Sequence, residues 1–212
     1  MTLNIQKINK LFYYWLLTTF LLVFFMILVG GLTRLTNSGL SITEWELFSG
    51  IFPPTDNNSW EKYFALYKEI PQYKLINYNM TMGEFKIIFY WEYFHRILGR
   101  LIGLFFLIPL SIFYYIKLTN KIYISNSFII FSLIVLQGII GWYMVKSGLV
   151  NNTTVSHYRL SLHLSIAFII VSMIFWNILN YRSNAYKNFF IIDKRKSPFV
   201  LLIKLIFAQI IV

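Results

Sequence analysis

The stretch Trp91–Ile116, WEYFHRILGRLIGLFFLIPLSIFYYI, is an apolar run long enough to cross a lipid bilayer. A hydrocarbon core about 30 Å thick requires about 20 apolar residues in a helix. Four ionisable residues stand near the start of this run: Glu92, His95, Arg96 and Arg100. Charged groups at membrane depth are costly and are rarely retained without a function. The stretch therefore predicts a membrane-spanning helix that carries a functional site.

The composition of the whole chain also indicates a membrane protein. Its 212 residues are 58% hydrophobic, 20% aromatic and 13% charged, with a mean hydropathy of +0.62. Soluble domains are about half apolar and about one quarter charged. The chain contains no cysteine, which excludes disulfides, cysteine zinc sites and iron–sulfur clusters from this sequence.

Four apolar runs have the length of a membrane-spanning helix: Phe12–Thr33, Trp91–Ile116, Ile124–Val145 and Leu160–Asn180. A fifth run begins near Pro198 and is cut off at Val212. The predicted fold class is therefore an all-α integral membrane protein, with a four-helix transmembrane bundle and the start of a fifth helix. The first run is longer than the ~7–15-residue core of a signal peptide, so it is predicted to be a retained helix.

Lysine and arginine are distributed unevenly over the links between these runs. They concentrate before the first run, in residues 115–123 and in residues 181–197, whereas the loop 35–90 holds six of the eight acidic residues. By the positive-inside rule, the amino terminus is predicted to be cytoplasmic and the loop 35–90 external. The expected location is the bacterial inner membrane. The net charge of +11 is attributed mostly to lysine and arginine residues that hold the cytoplasmic links on the inner side, rather than to a surface that binds nucleic acid.

The predicted domain organisation follows from these runs and links. Residues 1–180 are expected to form a four-helix membrane half that includes the external loop 35–90. Residues 181–197 are expected to form a cytoplasmic basic loop, and residues 198–212 the truncated fifth helix.

The ionisable residues cluster at the outer ends of the second and fourth runs. All three histidines lie there: His95, His157 and His163. Glu92 is the only acidic residue inside a run, and on a helix it shares a face with His95 and Arg96. Arg159 lies four residues before His163, whereas His157 lies about 240° around the helix from His163. His157 is therefore not expected to act as a ligand with His163.

Histidines on two helices with arginines nearby are typical of a haem site. Imidazoles can ligate an iron from opposite sides, and guanidinium groups can bind propionates. Three other interpretations use the same residues. The histidines and arginines could form an interfacial cluster that contacts water and headgroups, or part of a proton path. Glu92, His95 and His163 could also bind a divalent metal, and the spacing alone leaves these alternatives open.

Four segments resemble the signature segments of the haem A synthase family, in its alphaproteobacterial and mitochondrial form. They are GGLTRLTNSGLSITEW (Gly30–Trp45), EFKIIFYWEYFHRILGRLIG (Glu84–Gly103), LQGIIGWYMVKSGL (Leu136–Leu149) and VSHYRLSLHLSIA (Val155–Ala167). The resemblance is collinear through all four complete runs. It implies an eight-helix protein built from two similar four-helix halves, of which this chain is expected to be the amino-terminal half.

The resemblance implies an oxidoreductase that converts the C8 methyl group of haem o into a formyl group, giving haem A for cytochrome oxidase. His95 and His163 match the family's amino-terminal histidine pair and are expected to be axial ligands of the substrate iron. They are expected to face each other across a gap of haem width. Glu92 matches the family's glutamate beside the first of these histidines, and catalysis is favoured for it over a purely structural role. A haem b cofactor is expected in the other half of such a protein.

Further expectations concern the arginines and the partners. Four arginines are assigned to haem binding through propionates, although Arg34 fits snorkelling equally well: Arg34, Arg96, Arg100 and Arg159. Expected partners are haem o, haem o synthase (protohaem farnesyltransferase), an unidentified electron donor and membrane lipid, with no nucleic acid. The alternative function is a non-enzymatic bis-histidine cytochrome b-type electron-transfer subunit, which would not require Glu92. A transporter that moves protons through Glu92 and His95 is a third hypothesis.

Local patterns give three more predictions. The segment NSGLS (Asn37–Ser41) is expected to be a turn in which Gly39 adopts a positive φ. Trp60, Tyr63 and Phe64 of the external loop belong to a predicted short helix, and their rings suit the headgroup level. Several glycines are expected to allow close helix approach or room for a flat macrocycle: Gly30, Gly31, Gly99, Gly103, Gly138 and Gly141.

Overall fold

The computed structural model describes residues 2–44, 51–117, 119–151, 153–189 and 208. Six helices are found in this part of the chain: α1 (Thr2–Leu35), α2 (Asn57–Lys68), α3 (Pro71–Leu75), α4 (Met82–Ile116), α5 (Lys121–Asn151) and α6 (His157–Arg182). Four of them contain stretches long and apolar enough to cross a membrane: Lys10–Leu35, Met82–Ile116, Lys121–Val150 and His157–Arg182. The predicted all-α class with four spans is therefore confirmed. The predicted fifth helix, 198–212, lies outside the described residues apart from Ala208, as does the part of the basic loop at 190–197.

Helix α4 begins nine residues before the predicted start of its apolar run, at Met82 rather than Trp91. A capping box explains the extension. The Glu84 carboxylate accepts a hydrogen bond from the Thr81 N–H at 2.8 Å, and the Thr81 hydroxyl oxygen accepts one from the Glu84 N–H at 3.3 Å. Hydropathy alone misses this start because the first turns of α4 are not continuously apolar. In the structure, residues 36–81 therefore connect α1 to α4.

Two compact units make up the chain. Unit 1 consists of Met1–Phe25, Leu101–Gln137 and Ser161–Val212, and unit 2 consists of Met26–Arg100 and Gly138–Leu160. In unit 1, the Trp15 indole N–H donates to the Phe105 carbonyl oxygen at 3.1 Å, and the rings of Phe12 and Phe113 meet edge to face at 5.1 Å. Aromatic packing of this kind can hold membrane helices together, since lipid tails provide no hydrophobic force between them.

A buried polar network lies in the same unit. The Asn126 amide donates to the Asn177 side-chain oxygen at 3.4 Å, and the Asn177 amide donates to the Ser127 hydroxyl at 3.3 Å. Asn180 exchanges two hydrogen bonds with the backbone of Lys187, at 3.1 and 2.6 Å. These hydrogen bonds hold the described start of the segment that follows α6, residues 183–189, because buried polar groups need hydrogen-bond partners.

In unit 2, helix α2 is held by an aromatic core. Trp60 and Phe64 are buried, at 5% and 8% exposure. The Trp60 ring meets Phe89 edge to face at 5.0 Å, and the Phe64 ring stacks on Phe85 at 4.9 Å. The early start of α4 supplies the protein surface against which these rings pack, and their position at the headgroup level stays a prediction. Tyr63 is partly buried against the same core.

The turn after α1 also differs from its prediction. Asn37, not Gly39, adopts the left-handed conformation, with φ of 51°. The Ser38 N–H donates to the Thr33 carbonyl at 3.0 Å, and the Asn37 N–H donates to the Arg34 carbonyl at 3.2 Å. This pair of hydrogen bonds is a Schellman motif, in which asparagine can replace glycine at the left-handed position. The motif ends α1 and directs the chain into residues 38–42.

Candidate functional site

Glu92 of α4 is the central buried acid of unit 2, with an exposure of 3%. Its Oε1 atom accepts hydrogen bonds from the Nε of Arg96 at 3.1 Å and from the Nη2 of Arg96 at 2.5 Å. The two side chains are four residues apart on one helix, so the helical repeat brings them together. The predicted stripe of acid and base on α4 is therefore a direct ion pair.

The second carboxylate oxygen of Glu92 binds the segment that follows α1. Its Oε2 atom accepts from the Ser41 hydroxyl at 2.7 Å and from the Ile42 N–H at 2.9 Å. The Nη2 of Arg96 also donates to the Ile42 carbonyl oxygen at 3.0 Å. Neither Ser41 nor Ile42 was singled out as a site residue from the sequence. The only indication of a role in the sequence was that both residues lie in the Gly30–Trp45 segment, one of the four that resemble the family.

These contacts satisfy a charge that would otherwise be costly. A buried carboxylate is tolerated when it is paired and when hydrogen bonds occupy its remaining lone pairs. The side chains of Arg96 and Glu92 are 11% and 5% exposed, so water screens their attraction only weakly. Glu92 is thus fixed in position, and it joins α4 to the segment 38–42.

The imidazole of His95 lies against α1. A Cβ atom added at Gly30 would lie 3.2 Å from the Nε2 of His95, and one added at Gly99 would lie 3.3 Å from the Cε of Met26. Both distances are tighter than ordinary van der Waals contact. Gly30 and Gly99 therefore allow the close approach that the sequence predicted, whereas a Cβ at Gly31 would meet open space.

The arginines predicted to bind haem lie in different surroundings. Arg100 is half-buried on α4, one turn after Arg96, and Arg34 is half-buried in the last turn of α1. Arg159 lies in the first turn of α6, where its guanidinium carbon is 5.0 Å from the ring centroid of Tyr143. This distance is that of a cation–π contact, which the sequence analysis did not anticipate.

The remaining histidines have separate environments. His157 is the first residue of α6 and is exposed, and its exclusion as a ligand stays a prediction. His163 belongs to unit 1, where its carbonyl oxygen accepts a hydrogen bond from the Gln137 side chain at 2.9 Å. Because His95 belongs to unit 2, the facing arrangement of His95 and His163 stays a prediction. In the described part of the chain, no three His, Asp or Glu side chains form a group that could hold a metal ion.

Comparisons with known proteins agree with the family resemblance of the four sequence segments quoted above. The family described as cytochrome oxidase assembly protein matches residues 13–212. The chain is 51% identical over 214 residues to a protein named heme A synthase from Pelagibacter ubique, covering all of this chain and 62% of that protein. Proteins of the same name from Rickettsia bellii and Nitrosomonas eutropha are 48% and 52% identical, over 78% and 76% of this chain and 49% and 46% of their own lengths. The chain thus spans about half to three fifths of these relatives, and no solved structure matches it.

We expect Arg96→Gln to weaken the attachment of the segment 38–42. The variant leaves a buried carboxylate without its charge partner, a change that costs about 3–5 kcal/mol in comparable pairs. The free energy of unfolding in detergent should fall accordingly, and the Ile42 amide should exchange its hydrogen faster. Arg34→Gln is the matched control, because Arg34 forms no ion pair with any described acid. Equal exchange at Ile42 in both variants would show that the ion pair does not hold the segment.

Proposed function

The chain belongs to the COX15-CtaA family of cytochrome oxidase assembly proteins, and from this membership we propose that it carries the haem o site of a haem A synthase. The proposed activity is that of an oxidoreductase, which converts the C8 methyl group of haem o into a formyl group. The observation that carries the proposal is the buried ion pair of Glu92 and Arg96 on α4, which Ser41 and Ile42 complete with two further hydrogen bonds. His95 lies between these two residues in the sequence of the same helix. It lies within the Glu84–Gly103 segment that resembles the family, and several relatives carry the name heme A synthase.

His95 is the proposed iron ligand in unit 2, and His163 is its proposed partner. The absence of a side chain at Gly30 fits this assignment, because a Cβ there would lie 3.2 Å from the Nε2 of His95 and would crowd the nitrogen that is proposed to bind iron. We propose that four arginines pair with the propionates: Arg34, Arg96, Arg100 and Arg159. Guanidinium groups bind carboxylates in a bidentate manner, and the same guanidinium of Arg96 also holds Glu92.

The chemistry assigned to this chain is proton transfer and positioning. When bound, haem o would supply both the methyl group that is oxidised and the iron centre. Converting the methyl group into a formyl group removes electrons and hydrogen and adds an oxygen atom, and the oxidant and the oxygen source would act at the haem iron rather than on a residue of this chain. Glu92 is the buried carboxylate three residues from His95. We propose that Glu92 moves protons during this oxidation while its contacts with Ser41 and Ile42 keep it in place. A haem b cofactor, an electron donor and a haem o synthase partner belong to the same proposal, with no residue of this chain assigned to them.

The proposed location is the bacterial inner membrane, with the amino terminus in the cytoplasm. The lysine and arginine asymmetry of the links supports it. A reporter enzyme that is active only after export should be inactive when fused after Lys187 and active when fused within residues 53–56. The reverse pattern of activity would overturn this orientation.

Gly30→Ala should reduce the retention of haem o. The added methyl group would crowd the His95 imidazole, and overpacking of this kind costs about 1–3 kcal/mol, or roughly 5–150-fold in affinity. Gly31→Ala is the control, because it changes helix propensity equally and meets open space. Haem content per protein, measured by absorbance after purification, should fall only for Gly30→Ala. Equal haem content in both variants would remove the support that Gly30 gives to the His95 site.

Glu92→Gln should leave haem o bound but lower the yield of haem A. General acid–base groups typically contribute about 100-fold to 10,000-fold, so the loss should be at least about 100-fold, with accumulation of the hydroxylated intermediate. Ser41→Ala is the control, because it removes one donor to Glu92 and keeps the carboxylate. Extracted haems from both variants should be quantified by chromatography. A near-normal haem A yield from Glu92→Gln, or equal losses in both variants, would leave Glu92 as a structural counter-ion.

A further inference from the structure

A cavity of about 750 Å³ opens in unit 1, away from the residues assigned above. It is lined by α1, by the link between α4 and α5, by the start of α5 and by the end of α6. Its volume lies within the roughly 300–1,000 Å³ of small-molecule sites. Four of its twelve lining residues are cations and none is acidic; the cations are Lys10, Lys117, Lys121 and Arg182.

These cations mark the ends of candidate membrane spans. Lys10 and Lys121 begin two spans, Arg182 ends a third, and Lys117 directly follows the fourth. The cavity therefore lies at the level where a bilayer presents its headgroups. Basic pockets between membrane helices at this level bind the phosphates of acidic lipids.

A buried hydroxyl in the cavity wall is the second, independent sign of a ligand. Thr119 is 7% exposed, and its Oγ1 atom has no hydrogen-bond partner among the described residues. Buried polar groups in native proteins are nearly always paired, and leaving one unpaired is costly. An oxyanion bound in the cavity would accept the hydrogen bond of this hydroxyl.

The start of α5 adds further positive potential. The Asn120 side chain caps the helix by accepting a hydrogen bond from the Ile122 N–H at 2.9 Å. Because the amino-terminal end of a helix carries a partial positive charge, α5 favours an anion beside Lys121. The partial positive charge at the start of α5 therefore adds to the attraction that the four cationic side chains exert on an anion.

Packed tyrosines give the cavity a fixed wall. Tyr123 is 2% exposed, and its ring lies 4.9 Å from that of Tyr181 and 5.5 Å from that of Tyr186. The Tyr123 hydroxyl donates to the Asn180 carbonyl oxygen at 3.3 Å. These contacts distinguish a built site from a set of solvated lysines at a membrane surface.

We propose that this cavity binds a phosphate-bearing anion at the membrane surface, namely the phosphodiester headgroup of an acidic phospholipid. The four cations supply charge, the Thr119 hydroxyl supplies a directed donor, and the tyrosines suit the interface between acyl chains and headgroups. Free inorganic phosphate offers the same oxyanion chemistry, so the experiment must separate these two sources.

The test uses the full chain in vesicles of phosphatidylcholine with or without phosphatidylglycerol, followed by detergent extraction and native mass spectrometry. The wild type should retain phosphatidylglycerol in preference to phosphatidylcholine. Lys121→Gln should reduce this retention about fivefold, the factor expected for losing one surface cation. Thr119→Val should also reduce it about fivefold, because it removes one hydrogen-bond donor to the bound anion. Lys146→Gln is the control, because it removes the same charge from α5 beside Trp142, outside the cavity.

Thr119→Val separates a specific site from a diffuse electrostatic field, because it removes a hydrogen-bond donor and leaves the charge of the cavity unchanged. Retention that falls equally in Lys121→Gln and Lys146→Gln, with no effect of Thr119→Val, would indicate a diffuse field and overturn the proposal. Thermal melting of each variant shows whether it has folded. In a second arm, inorganic phosphate is titrated without acidic lipid. Thr119-dependent phosphate binding together with no lipid retention would keep the phosphate site but overturn its assignment to a lipid headgroup.

Discussion

A carboxylate buried in a membrane helix is stable only if hydrogen-bond donors surround it. In unit 2 this requirement at Glu92 determines how α4 packs against the residues that follow α1. Arg96 supplies two donors from the next turn of α4, and the residues after α1 supply the other two. The Schellman motif at Asn37 turns the chain so that Ser41 and Ile42 can reach the carboxylate. Removing one partner would leave an uncompensated charge, so α4 and the segment 38–42 depend on each other.

The sequence predicted the features that depend on local periodicity. The four spans follow from apolar length, and the pairing of Glu92 with Arg96 follows from their spacing of four residues. Errors arose where polar contacts or tertiary packing override hydropathy. The capping box at Thr81 and Glu84 starts α4 early, and Phe85 and Phe89 in this added part of the helix pack against Trp60.

Contacts between distant segments could not be read from the sequence. Ser41 and Glu92 are 51 residues apart, and nothing in either local pattern indicates that they meet. The same holds for Gly30 beside His95, because the glycine alone predicted only close helix approach or room for a macrocycle and did not indicate which side chain lies there. Asn37 rather than Gly39 adopts the left-handed conformation because α1 ends at Leu35, two residues before Asn37. Hydropathy predicts the end of a helix only approximately, so the sequence did not indicate which residue would adopt it.

The central claim is that this chain carries the haem o site of an oxidase, in contrast to the electron-transfer subunit considered as the alternative. Both functions accommodate histidine ligation, but only the oxidase changes the chemistry of its haem. The most direct measurement is extraction and mass spectrometry of the haems bound to the full protein, produced together with a source of haem o. The account predicts haem A or its hydroxylated precursor in the extract. Recovery of unmodified haem o or haem b alone, from protein that has folded and bound haem, would contradict it.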